Sequence, residues 1–190
     1  MKLKRTVLWI QFFTFILVFT FIDQFTKYLA SSRLKVSGKE IKVIPKVLSF
    51  YYLNGGNRGA AWGLFSGKTS FLILFTVVIL MILFHFVWNI YRKIEFNYSL
   101  KLTKLIILQY LIGLIIAGAV GNIIDRVRYG AVIDFIRFTF INFPIFNVAD
   151  IYVTVSCFLI VIICLFFISE DEFNEIFSFR KKKGSVHDGK

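Results

Sequence analysis

Ahead of the charged stretch that follows Ile168, the chain has six acidic residues: Asp23, Glu40, Glu95, Asp125, Asp134 and Asp150. The four aspartates border or interrupt long apolar runs. Two carboxylates brought together in such surroundings cannot both ionise cheaply, so they share a proton. A pair in that state can activate water with one member and protonate a leaving group with the other. Asp134 is the sharpest candidate, because it sits among Val132, Ile133, Phe135 and Ile136 with no helix end or adjacent base to justify it. Asp150 lies three residues after Asn147, the spacing of a helix N-cap with an acidic N3 residue, so a capping box competes with a chemical role. Asp23 and Lys27 are four apart and fit an ion pair on one helix face as well as a functional pair. Asp125 precedes Arg126, which suggests a helix-end pair. Asn122 shares its face with Gly118 and Gly121, small residues that permit close helix contact.

The elements that must position these groups follow from composition. The 190 residues are 57% hydrophobic and 18% aromatic, with a mean hydropathy of +0.73, well above the apolar content of soluble domains. Uncharged runs of membrane-crossing length occur at Val7 to Ile22, extendable through Asp23 to Ala30, and at Thr69 to Tyr91, Leu105 to Ile124 and Ile151 to Ile168. The expected fold class is therefore an all-α membrane protein, a bundle of four transmembrane helices. One domain spans residues 1–168, with helices near 7–30, 69–91, 105–124 and 150–168, and residues 169–190 form a charged cytoplasmic tail. Ile41 to Tyr52 reads as short strands around Pro45, and Asn54 to Gly63 as turns. Val132 to Phe146, dense in Phe and Ile, reads as a loop lying on the membrane surface.

The net charge of +12 does not indicate nucleic acid, because Lys and Arg flank the apolar runs instead of forming one basic face. It indicates topology. With Met1 inside, the inner segments hold 12 of the 23 basic residues and the longer outer segments 10, so basic density favours cytoplasmic N- and C-termini. All four aspartates then gather at the outer face. Lys2, Lys4 and Arg5 before an apolar run resemble a cleavable signal peptide, but the run is long, ends in Asp23 and Lys27, and is read as a retained first helix. The run Arg180 to Lys183 in the tail is a solvated segment that can touch anionic lipid. Cys157 and Cys164 lie on one face of the fourth span as packing residues. An ion- or proton-coupled transporter, the main alternative, would place polar groups at the midplane of several spans, where this sequence is almost wholly apolar.

Five segments occur in order: Asp23-Gln24-Phe25-Thr26-Lys27, Asn57-Arg58-Gly59-Ala60-Ala61-Trp62, Gly118 through Arg126, Val132-Ile133-Asp134-Phe135, and Phe146-Asn147-Val148-Ala149-Asp150. Together they resemble the motifs of bacterial lipoprotein signal peptidase (signal peptidase II), from about residue 8 to residue 168. The resemblance implies an intramembrane aspartyl endopeptidase. Its substrate is a diacylglyceryl-modified prolipoprotein, cut just before the lipidated cysteine. It implies catalytic roles for Asp134 and Asp150, and active-site lining or support from Asn57, Asn122, Arg126 and Asn147. Asp23, Lys27, Asp125 and Gly118 match motif positions of less defined role. The implied fold adds a small extracytoplasmic β-cradle and a surface helix to the four-helix bundle. No metal or other cofactor is implied, and His85 and His187 lie apart from the motifs. The enzyme is expected to be a monomer in contact with membrane lipid. Two departures are visible: Trp62 stands where the family usually has Phe, and the interval between Asp134 and Asp150 is slightly short.

Overall fold

The computed structural model describes residues 2–35, 38, 40–60, 63–96, 101–170 and 172–173. Four long helices dominate: α1 (Lys2–Ala30), α2 (Thr69–Phe96), α3 (Lys101–Tyr129) and α4 (Val148–Phe166). Each contains a stretch long and apolar enough to cross a membrane, at the positions the uncharged runs predict. Their ends follow local chemistry. Asn147, in extended conformation, caps α4. At the far end of α3, Gly130 adopts φ +70° and its N–H returns to the Arg126 carbonyl at 3.0 Å, the left-handed stop that glycine makes without a Cβ penalty.

Helix α3 is central. Half of its apolar span is buried, against 17% for α1 and 11% for α2 and α4, and it packs on all three of the others. Lipid offers little hydrophobic drive for helices to associate, so close approach and polar contacts must hold them. Gly113 allows the first: a Cβ there would press on the rings of Phe12 and Phe15 of α1. At the end where α1 begins, Trp9 stacks on Tyr91 with centroids 4.2 Å apart. Gln109 Nε2 donates to the Tyr91 hydroxyl at 2.6 Å, and that hydroxyl donates to the Leu8 carbonyl at 2.9 Å. The same end carries a Lys104–Glu172 ion pair of 2.9 Å. Ser169 and Glu172 there form the reciprocal bonds of a capping box.

At the opposite end the connections form a three-stranded antiparallel sheet in the order β1 (Ile41–Ile44), β2 (Leu48–Phe50), β3 (Ile136–Phe138). The turn between β1 and β2 contains Pro45 and Lys46, the latter at φ 62°. Ser49 pairs with Arg137 across β2 and β3, and bridges from Asn57 to Val132 and from Ile136 to Phe146 continue the pairing. Phe135, Ile136, Ala30 and Leu34 form a small apolar core beneath, so the sheet is seated on the end of α1. A π-helical turn at Ser31–Lys35 prolongs α1. Trp62 and the tail residues 174–190 lie outside the described residues.

Candidate active site

The last turns of α1 present Asp23 and Lys27 on one face, and both are almost completely enclosed, with exposures of 0% and 1%. Lys27 Nζ lies 2.8 Å from Asp23 Oδ2 and 3.0 Å from Asp125 Oδ2 of α3, and it donates to Asn122 Oδ1 at 2.9 Å. Asp125 therefore pairs with Lys27, not with its neighbour Arg126 as a helix-end pair would require. Asp23 Oδ1 accepts the backbone N–H of Ala149 at 3.0 Å, which satisfies an orphan donor in the first turn of α4 and places negative charge at that helix N-terminus. Asp125 Oδ2 accepts the Ile133 N–H at 3.1 Å, fixing the loop that carries Asp134. Two glycines make the approach possible. A Cβ on Gly121 would collide with the Asp23 carboxylate, and one on Gly118 would stand 2.6 Å from the Ala149 carbonyl oxygen.

Asp134 and Asp150 sit beside this cluster and are joined by asparagines. Asn147 Nδ2 donates to Asp134 Oδ1 at 2.7 Å, and Asn57 Nδ2 donates to Asp134 Oδ2 at 3.0 Å. Asp150 Oδ1 accepts from Asn122 Nδ2 at 3.0 Å, and its Oδ2 accepts the Asn147 N–H at 3.1 Å. The Asp150 N–H returns to Asn147 Oδ1 at 3.1 Å. The capping box anticipated from spacing is thus real, and it shares its residues with the carboxylate pair. Structural and chemical readings of Asn147 and Asp150 do not compete: one set of bonds starts α4 and aims both side chains.

The orientation of each amide is dictated by its neighbours. Lysine has donors only, so the Asn122 atom facing Lys27 must be oxygen and the amino group must face Asp150. Asn57 is set the same way, since its Oδ1 accepts the Gly59 N–H at 2.9 Å and leaves Nδ2 for Asp134. Arg126 Nη2 donates to the Gly59 carbonyl at 2.9 Å, tying that loop to α3 and adding positive charge beside Asp134 and Asp150. Asp134 is 2% exposed whereas Asp150 is half-buried. Burial, reinforced by the Asp150 charge and opposed by the Asn57 and Asn147 bonds and the Lys27 charge, pushes the Asp134 carboxyl up to about 7. A carboxyl in that range holds a proton near neutrality, which a general acid must do.

The ten residues singled out from the sequence, Asp23, Asn57, Gly118, Asn122, Asp125, Lys27, Arg126, Asp134, Asn147 and Asp150, all converge at this end of the bundle. Gln24 joins them. Its Nε2 donates to Asp125 Oδ1 at 3.0 Å and to the Gly121 carbonyl at 3.1 Å, and lies 3.3 Å from Asp23 Oδ2. Its place beside Asp23 within one of the five segments was the available signal. Gly59, in another, joins them through its carbonyl, which accepts from Arg126.

The chain has relatives among known proteins. A family model described as signal peptidase (SPase) II matches residues 15–166. The chain is similar to a lipoprotein signal peptidase of Staphylococcus aureus (strain bovine RF122 / ET3-1), 40% identical over 157 residues that cover 80% of this chain and 88% of that protein. It is similar to a lipoprotein signal peptidase of Clostridium tetani at 38% identity, covering 81% and 90%. Among solved structures, a bacterial membrane enzyme determined by the in meso method at 2.3 Å superposes with a TM-score of 0.67 and 35% identity, over 92% of this chain and 93% of that one. Another, determined at 1.9 Å, gives 0.65 and 36%, over 82% and 92%. With four membrane-crossing helices, matched motifs and relatives along most of its length, this chain is a multi-pass bacterial membrane protein that belongs to the signal peptidase II family.

Proposed function

We propose that Asp134 and Asp150 are the catalytic pair of an aspartic endopeptidase. It removes the signal peptide from diacylglyceryl-modified prolipoproteins by cutting just before the lipid-bearing cysteine. The observation that carries this reading is Asn147, which donates to Asp134 through its side chain and to Asp150 through its backbone, so one residue aligns both carboxylates. The pair holds a single proton. Its ionised member takes a proton from water as the water oxygen attacks the scissile carbonyl carbon. The protonated member polarises the carbonyl oxygen, and its proton goes to the leaving amine as the C–N bond breaks. The reaction so drawn uses two carboxylates and water and no cofactor. Asn57, Asn122, Asn147 and Arg126 position, while Asp23, Lys27, Asp125 and Gly118 hold the three helices in register.

Both termini are cytoplasmic in this reading, and the site opens toward the outer leaflet, where a substrate anchored by its diacylglyceryl group presents its cut site. Every group of the site comes from one chain, so a monomer suffices. The transporter alternative draws no support from the family or from the apolar middles of the spans. Purified protein incubated with a lipid-modified prolipoprotein should release the signal peptide. Asp134→Asn and Asp150→Asn should each abolish release while still inserting as folded protein, and normal turnover by either variant would sink the assignment.

A further inference from the structure

Asp134 lies on the segment that leads into β3, and Asp150 lies in the first turn of α4. Their separation therefore depends on how that segment is tied to the helices. On its strand side, Val132 exchanges both backbone bonds with Asn57, and the Asp134 and Phe135 carbonyls accept from the Leu53 and Tyr51 N–H groups. The Ile133 N–H goes instead to α3, where Asp125 Oδ2 accepts it at 3.1 Å. Asp125 thus joins the backbone beside Asp134 to the bundle. An aspartate carboxyl turns easily about its last bond, a broad two-fold torsion. Lys27, a point charge that also serves Asp23 and Asn122, does not fix that angle. Gln24 does. Its Nε2 donates to Asp125 Oδ1 at 3.0 Å, which leaves Oδ2 for Lys27 and Ile133. The Gln24 amide is itself fixed, because the Gly121 carbonyl and Asp23 Oδ2 beside Nε2 are also acceptors, and only an amino group can face all three.

We infer that Gln24 is a positioning residue for the cleavage reaction: by fixing the plane of the Asp125 carboxylate, it sets where the Ile133 N–H, and hence Asp134, stands relative to Asp150. The inference rests on the peptidase reading above. Gln24 is bonded to neither member of the pair, so it acts through Asp125. Its loss should be felt in kcat, which depends on alignment, and not in KM. A misplacement of about 1 Å can cost on the order of a hundredfold in rate.

Two measurements on the intact enzyme test this. With a lipid-modified prolipoprotein as substrate, Gln24→Met, which keeps the volume and removes the donor, should lower kcat about tenfold with KM little changed. Gln24→Asn, whose amide falls one methylene short of Asp125, should match it. Wild-type kcat in either variant, or a loss confined to KM, overturns the inference, as does failure of both to fold, which would assign Gln24 to stability alone. Because the effect passes through Asp125, Gln24→Met combined with Asp125→Asn should be no slower than Asp125→Asn by itself. Additive losses would mean that Gln24 acts by another route. The second measurement, amide hydrogen exchange in detergent, needs no substrate. Gln24→Met should speed exchange at Ile133 and leave Val132, which is bonded to Asn57, unchanged. Equal acceleration at both would reflect general loosening and count against a specific tie. The expected exchange pattern in an enzyme whose wild type does not cleave indicts the peptidase reading, whereas cleavage at equal kcat by wild type and Gln24→Met indicts Gln24 alone.

Discussion

The burial of Asp134 opposes stability and suits the chemistry proposed for it. Its carboxyl, ordinarily near 3.8, titrates near 7 in the folded protein because burial and Asp150 disfavour the charge. Between about pH 4 and pH 7 the native state therefore keeps a proton that the unfolded state has lost. The sign follows: stability is full below about pH 4 and declines as pH rises through 7, by on the order of 4 kcal/mol. Asp134→Asn removes that titration. Its amino group must also face one of two amide donors, a loss of about 1 kcal/mol. The variant is thus expected to be less stable than wild type at pH 4 and more stable at pH 8, read as a crossing of the two Tm profiles in detergent. Parallel profiles would show that Asp134 does not titrate in this range. Activity should fall on the alkaline side of about pH 7, as the pair surrenders the proton meant for the leaving amine.

At the level of elements, one cation organises three helices. Lys27 of α1 meets Asp23 of its own helix and Asp125 and Asn122 of α3, and Asp23 in turn caps the start of α4. Replacing Lys27 with Met keeps the volume but strands two enclosed carboxylates and frees the Asn122 amide to turn away from Asp150. Breaking a buried pair in this way costs roughly 3–5 kcal/mol. For a chain of this size each kcal/mol lowers Tm by about 2–4 °C. The expectation is a fall of on the order of 10 °C, with activity lost even below the new midpoint, measured by thermal unfolding and cleavage in the same detergent. Lys27→Arg should recover part of the stability and less of the activity, because a planar fork does not reproduce a point charge among three acceptors. A Met variant with wild-type Tm would mean that the helices are held by apolar packing alone.

For the whole molecule, orientation and chemistry stand or fall together. All the acidic groups of the site lie at the end of the bundle that carries the sheet, while Ser169, Glu172 and Lys104 mark the other end. A secreted substrate requires the sheet end to face outward. In a background with Cys157 and Cys164 changed to Ala, Asn142→Cys should react with an impermeant maleimide on intact cells, and Glu170→Cys only after the membrane is opened. The reverse pattern would place the carboxylates in the cytoplasm, away from exported prolipoproteins.

What could be read from the chain alone was whatever is local. The four spans follow from uncharged length, because a helix in lipid must be apolar over its whole crossing. The candidacy of Asp134 follows from its isolation among apolar neighbours, and the capping box from the three-residue step between Asn147 and Asp150. The choice between a pairing role and a chemical role for Asp23, Lys27 and Asp125 was open in the sequence. The pairing itself is made by a contact between residues 98 apart in the chain, Lys27 and Asp125, which no local spacing encodes. The same holds for Gln24, one residue beyond the expected set, and for Arg126, whose partner is the Gly59 carbonyl of a loop 67 residues away in the chain instead of the adjacent acid. Only the folded chain decides which way each asparagine amide points. That is a property of the donors and acceptors that tertiary structure brings around it, and at this site it determines which atoms face the two carboxylates.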